Sequence, residues 1–188
     1  MGKVATGTNV FINPMPIVLV GVREKSKANF ITVGWVTRVN TNPPMVAVSI
    51  SKSHYTAELI REARTFSINV PGADMADKVD YCGLVSGKDV DKSALFDVFF
   101  GTLKTAPMIS ECPLCLECKL VDTLPMKTNY LFIGEIAGAF TEEKYLTDGL
   151  PDPEKINPLV LTMPDTSYRT LGKPAGKAWS DGKKLMKK

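Results

Sequence analysis

Apolar and polar positions along this chain fall into short runs bounded by turn residues, a pattern of strands rather than of long helices. Ile17-Val18-Leu19-Val20-Gly21-Val22 is a strand by composition, and Glu24-Lys25-Ser26-Lys27-Ala28 is a polar turn of hairpin length. Phe30-Ile31-Thr32-Val33-Gly34-Trp35 returns as a second strand, rich in β-branched and aromatic residues. Asn42-Pro43-Pro44 breaks the chain before a third strand, Met45 to Ile50. A helix is predicted over 54–63. Phe66-Ser67-Ile68-Asn69-Val70 then alternates apolar and polar as a half-buried strand does, and Pro71-Gly72 ends it.

A second helical segment is predicted from Asp74 to Cys82, followed by a polar loop, Ser86-Gly87-Lys88-Asp89-Val90-Asp91-Lys92. Leu114 to Asp122 and Tyr130 to Ala139 read as two long strands joined by the break at Pro125, with a short strand at Val160-Leu161-Thr162-Met163. Six or seven strands with modest helices imply a mainly β domain, a closed or partly closed antiparallel barrel. One domain over 1–188 is expected, with 165–188 as a C-terminal arm: Gly172, Pro174, Gly176 and Gly182 disfavour a packed helix there. Such an arm is expected to lie across a neighbouring subunit.

Composition changes this picture little. The chain has 188 residues, 44% hydrophobic and 23% charged, as in ordinary globular proteins. A net charge of +3 is too small to point to nucleic acid, and much of the visible imbalance sits in the tail at Lys183-Lys184 and Lys187-Lys188. No apolar run reaches the ~20 residues of a membrane helix, and no leader segment opens the sequence. A cytoplasmic protein without a membrane partner is the expectation.

Candidate chemistry concentrates in Ser49-Ile50-Ser51-Lys52-Ser53-His54-Tyr55-Thr56, where a buried strand gives way to a helix. The first turn of a helix has unpaired N–H groups and the positive end of the dipole, so hydroxyls and a lysine there suit a phosphate. The plainer reading is that Ser53 only caps the helix. His54 is the single histidine. It is either solvated or hydrogen-bonded to an anion, and any histidine-dependent nucleophilic mechanism would have to use it. No Gly-x-Gly-x-x-Gly, phosphate-loop or His-Glu-x-x-His motif occurs. Cys112, Cys115 and Cys118 have a spacing found in metal sites. On a strand, however, residues three apart point to opposite faces, so reduced buried thiols and no metal are expected. With acid–base and metal chemistry thin, reactivity is expected to reside in a bound cofactor.

Asn29-Phe30-Ile31-Thr32-Val33-Gly34-Trp35, Pro43-Pro44-Met45-Val46-Ala47-Val48-Ser49-Ile50 and the serine–lysine loop through Thr56 resemble the flavin reductase-like, FMN-binding split-barrel family. The loop 86–92, Leu116-Glu117-Cys118 and Tyr130-Leu131-Phe132-Ile133-Gly134-Glu135-Ile136 extend the likeness, which is greatest to the flavoredoxin group. The resemblance implies an antiparallel, Greek-key-like split barrel with a few short helices. It implies that Ser51, Lys52, Ser53 and Thr56 face the phosphate of FMN, with Ser49 beside them. Asn29, Thr32, Val33 and Trp35 would run along the isoalloxazine, the Thr32 hydroxyl bonding its polar edge. Lys92 would meet the phosphate or the pyrimidine edge, and Tyr168 would cover the cofactor.

The resemblance further implies a homodimer with FMN near the interface, and no catalytic side chain, because the flavin itself carries the chemistry. Electrons would pass from NAD(P)H or a reduced protein to flavin, ferric iron or a redox partner, as a flavin reductase or as an electron carrier. Two other readings stand beside it: a non-catalytic flavin-binding, storage or interaction module, and a cysteine-based metal or redox protein.

Overall fold

The computed structural model describes residues 2–186, so Met1 and the end of the basic tail, Lys187-Lys188, lie outside the described residues. The first strands are β1 (Met15–Pro16), β2 (Val18–Glu24), β3 (Lys27–Val33), β4 (Val36–Asn40) and β5 (Met45–Ser51). Helix α1 (Tyr55–Ala63), β6 (Thr65–Val70) and α2 (Ala76–Leu84) follow. Next come β7 (Val98–Phe100), β8 (Pro107–Ile109), β9 (Leu114–Pro125), β10 (Asn129–Thr141), β11 (Leu146–Thr147) and β12 (Leu150–Pro151). Helix α3 (Pro153–Ile156), β13 (Val160–Thr162) and β14 (Ser167–Arg169) complete the order.

Seven strands form one antiparallel sheet in the order β3-β2-β6-β9-β10-β5-β4. Three hairpins, with β6 inserted between β2 and β9, make it Greek-key-like. The two edge strands, β3 and β4, are consecutive in the chain and separated only by Gly34 and Trp35. The sheet must therefore curl until its edges meet, without hydrogen bonds closing it: a split barrel.

Period-two alternation builds two cores. Val18, Val20 and Val22 point inward with Ile31, Val48, Phe66, Cys118 and Phe132, and the apolar stripe Ala57, Leu59 and Ile60 plugs the interior from α1. Leu19, Phe30 and Cys115 point outward against Met75, Val79 and Cys82 of the α2 region and Met108 and Ile109 of β8. Each such side chain taken from water contributes about 1.5–3 kcal/mol, the main force curling the sheet. At Gly21 a Cβ would lie 2.5 Å from the Pro107 carbonyl, so a side chain there would push β8 off the barrel.

The structure adjusts several expected boundaries. The first hairpin turn is only Lys25-Ser26, because Arg23 pairs with Ala28 and Glu24 with Lys27. Strand β4 carried no sequence signal: most of its residues are exposed, as an edge strand tolerates. The expected arm at 165–188 starts later, since Ser167–Arg169 pairs with Val160–Thr162, and 170–185 is exposed apart from half-buried Ser180. No helix among the described residues is long and apolar enough to cross a membrane.

Candidate functional site

The seam between β3 and β5 opens into a groove with two connected halves. One half, about 270 Å³, is lined by Ile31, Thr32, Val33, Gly34, Trp35, Ser49, Ile50, Ser51, His54 and Asn129. The other, about 200 Å³, runs along the start of α1 and the end of α2, past Ser53, Tyr55, Thr56, Cys82, Gly83, Ser86, Gly87 and Lys92. Ile31 and His54 border both.

The start of α1 is an open donor site. His54 occupies the cap position in extended conformation, and neither its side chain nor that of Ser53 caps the first turn. The simple capping role of Ser53 is thus excluded, and the N–H groups of Tyr55 and Thr56 are left without a side-chain acceptor. The Ser51 and Ser53 hydroxyls lie 2.9 Å apart, and Ser51 Oγ accepts from the Ser53 amide at 3.3 Å. Thr56 Oγ1 accepts from Asn29 Nδ2 at 2.8 Å, which leaves the Thr56 hydroxyl proton free. Asn29 is buried behind Thr56 rather than on the groove wall, and its Oδ1 has no partner. A Cβ on Gly87 would lie 2.0 Å from that oxygen, so only glycine lets this loop close over Asn29.

Lys92 is buried, 3% exposed, and its Nζ donates to the Cys82 carbonyl at 2.8 Å. Desolvation holds its pKa below the usual lysine value, and burial pushes the Cys82 thiol up to about 11. A buried ammonium with one carbonyl partner and two further N–H donors suits an anion or a polar ring edge. At the other end, Trp35 is 51% exposed over the groove and is no core residue. Val33 contributes an apolar wall, and Ser49 is held by Asn129 Nδ2 at 3.2 Å.

Besides Asn29, three expectations meet a different geometry. The Thr32 hydroxyl donates to the Val79 carbonyl of α2, so it faces the groove with its acceptor lone pairs only. Lys52 follows Ser51 at the end of β5, and strand alternation carries its side chain away from the serines. Its Nζ lies 5.1 Å from the Tyr130 ring centroid and 3.5 Å from the Lys127 carbonyl, outside the groove. Tyr168 packs against the outer core instead, its hydroxyl donating to Asp80 Oδ1 at 3.1 Å. Burial and Asp80 push that phenol up to about 12.

Asn129 and Gly87 are groove residues that sequence reasoning did not single out. Asn129 pairs with Ser51 across β10 and β5, a register that local sequence does not reveal. The cysteines divide as strand alternation requires: Cys118 belongs to the inner core, Cys112 and Cys115 to the outer one. A groove with hydroxyls, a helix N-terminus and a buried lysine at one end, and a half-exposed indole at the other, fits a mononucleotide with a planar, amphipathic ring.

Comparison with known proteins agrees with this geometry. The model of the flavin reductase like domain matches residues 11–171. A crystal structure of flavoredoxin from Methanosarcina acetivorans superposes with a TM-score of 0.97 at 57% identity, covering 99% of this chain and 100% of that one. Flavoredoxin of Desulfovibrio vulgaris (Miyazaki F) gives 0.90 at 32% identity, covering 96% of this chain and all of that one. An FMN-binding protein from Thermus thermophilus, with bound 1-cyclohex-2-enone, gives 0.79 at 25% identity, over 94% and 98% of the two chains. A sequence relative from Aeropyrum pernix is 26% identical over 170 residues, 87% of this chain but 64% of the relative's length.

Proposed function

The chain belongs to the flavin reductase-like family of flavin-related oxidoreductases, and from that premise we propose that FMN binds in the groove between β3 and β5. The observation that carries this reading is the uncapped start of α1 sharing one groove with buried Lys92 and exposed Trp35. Ser51, Ser53, Thr56 and the first-turn amides hold the phosphate. Lys92 supplies positive charge at the base of the groove. Val33, Ser49, Asn129 and Trp35 position the ring, and Asn29 braces Thr56 from behind.

Bound FMN supplies hydride and single-electron transfer, which the protein's own side chains do not provide. Ile31 and Val33 of β3 and the Trp35 indole would hold the ring in the groove. Orientation and exclusion of water do the rest, without a side-chain base. The likeness to flavoredoxins favours an electron carrier, reduced by NAD(P)H or by a protein and discharging to a flavin, ferric iron or a redox partner. Exposed Trp35, Val39 and the C-terminal arm with Trp179 support a homodimer, since such apolar surface is covered by a second copy at low cost.

The test is an absorption spectrum of the purified protein between about 300 and 550 nm, repeated anaerobically with NADH or NADPH and then dithionite. Two flavin bands that bleach with nicotinamide establish a reductase, and bands that bleach only with dithionite establish a carrier fed by a protein. If no bands appear and added FMN does not bind, the reading fails.

A further inference from the structure

Lys52, which the groove does not absorb, belongs to a separate arrangement. Its Nζ lies 5.1 Å from the Tyr130 ring centroid, and the Arg61 guanidinium carbon lies 5.2 Å from the same centroid. Neither cation enters an ion pair among the described residues, and neither does the adjacent Lys127. The nearby carboxylate of Glu58 is taken by Lys88 at 3.7 Å. Lys52, Arg61 and Lys127 are exposed, as is Met126 at 49%. Cations gathered on one aromatic ring without a counter-charge repel one another, so the patch gains most from an anionic partner.

We infer that this patch is the docking surface for an acidic electron-transfer protein. None of Lys52, Arg61, Lys127 and Tyr130 lines either half of the groove, so the cofactor site does not account for them. An exposed Arg61 and a lysine gathered on the Tyr130 ring have instead the chemistry of a protein interface, where Arg and Tyr are enriched. Its position fits the role, because Tyr130 follows Asn129 in β10, and Asn129 lines the groove and holds Ser49 at the end assigned to the ring. A partner seated on Tyr130 therefore sits one residue along the strand from a ring-positioning side chain. The small, charge-steered contact is of the kind weak electron-transfer encounters use. Each encounter moves one electron from the partner's centre to bound FMN, and two encounters with two solvent protons complete a two-electron reduction. The inference rests on FMN occupying the groove.

The experiment uses FMN-loaded protein, the variants Arg61→Glu and Lys52→Glu, and a reduced plant-type [2Fe–2S] ferredoxin of strongly negative charge as the probe. Stopped-flow electron transfer is recorded across ionic strength, with flavin content, dithionite bleaching and subunit assembly measured on the same samples. The unaltered protein should react fastest in low salt and slow steeply as salt rises. Each variant should be slower by about tenfold in low salt and converge with it near 0.5 M salt, where screening is nearly complete. A rate indifferent to salt or to both substitutions overturns the docking surface while leaving the flavin reading intact. Loss of FMN from Lys52→Glu with Arg61→Glu unaltered returns Lys52 to the phosphate and also overturns it. Separation of subunits in the variants assigns the patch to a homodimer interface and overturns it as well. Absence of flavin from the unaltered protein sinks the underlying reading instead.

Discussion

Lys92 donates through Nζ to the carbonyl of Cys82 at 2.8 Å, tying the polar loop to the end of α2 with an ammonium that is only 3% exposed. A single carbonyl is a poor replacement for the water that such a charge gives up. The free protein thus holds a destabilising cation where an anionic ligand would stabilise it.

Lys92→Met should therefore weaken FMN by about 10–100-fold, the range for a hydrogen bond to a charged group. It should also change how stability depends on pH. Burial lowers the Lys92 pKa in the folded state below the ordinary 10.5, so the unfolded chain binds the proton more tightly. The contribution of Lys92 to stability then rises with pH through the window between its folded pKa and 10.5. Thermal melts of flavin-free protein from neutral pH to about 10 should show the unaltered chain gaining on Lys92→Met. A constant difference across that range would refute the uncompensated burial.

Ser51→Ala combined with Ser53→Ala removes two hydroxyls 2.9 Å apart beside the uncapped start of α1. FMN affinity should fall by about tenfold or more for each lost hydrogen bond to phosphate, while riboflavin affinity stays within about twofold. Titration calorimetry with both ligands decides it, and equal losses would remove the phosphate from this end of the groove.

The four cysteines should be inert in the native protein. Burial pushes Cys115 and Cys118 up to about 12, Cys82 up to about 11 and Cys112 higher still, so almost no thiolate exists at pH 8. A thiol-reactive dye should label none before unfolding and all four after it. Cys115 Sγ already donates to the Ile109 carbonyl at 3.3 Å, whereas Cys118 sits in the apolar inner core. Cys118→Ser should therefore cost about 1–3 kcal/mol and Cys115→Ser less, with flavin content retained in both. Rapid labelling of the native protein would contradict the packing.

Glu117 is fully buried, its two carboxylate oxygens accepting from the amides of Thr102 and Leu103 at 3.0 Å each. Glu117→Ala leaves both amides without acceptors and opens a void, so chemical denaturation should show a loss of about 2–5 kcal/mol. Glu117→Gln should lose less, because its amide oxygen still accepts one of the two bonds. Equal stability of all three proteins would show that loop 101–105 does not depend on this anchor.

The elements that bury a regular apolar face were legible in the sequence. The composition of Ile17 to Val22 and the alternation in Phe66–Val70 marked strands, and the helix predicted over 54–63 is α1, whose Ala57, Leu59 and Ile60 plug the barrel. The edge strand β4 was not, because its polar residues form a ladder on one side and meet water elsewhere. The same divide runs through the site. Hydroxyls at a strand-to-helix junction announced an anion site, and the structure brings Ser51, Ser53 and Thr56 to the groove. Local sequence could not say which way Lys52 turns, nor that Asn129 stands opposite Ser51.

By itself the sequence determined the long strands of the main sheet, the start of α1 and the opposite faces of Cys115 and Cys118. Those depend on periodicities of two and 3.6 residues, which neighbours along the chain already express; the family was legible as a resemblance of ordered motifs, whereas the short strands β1, β7, β8, β11, β12 and β14 left no signal. Only the tertiary structure decided that β3 and β5 face each other across a groove, that Lys92 is buried rather than solvated, and that Trp35 is exposed rather than core. These depend on how far the sheet curls and which loop covers its seam. Curl and coverage are set by contacts between residues far apart in the chain, and no local pattern encodes them.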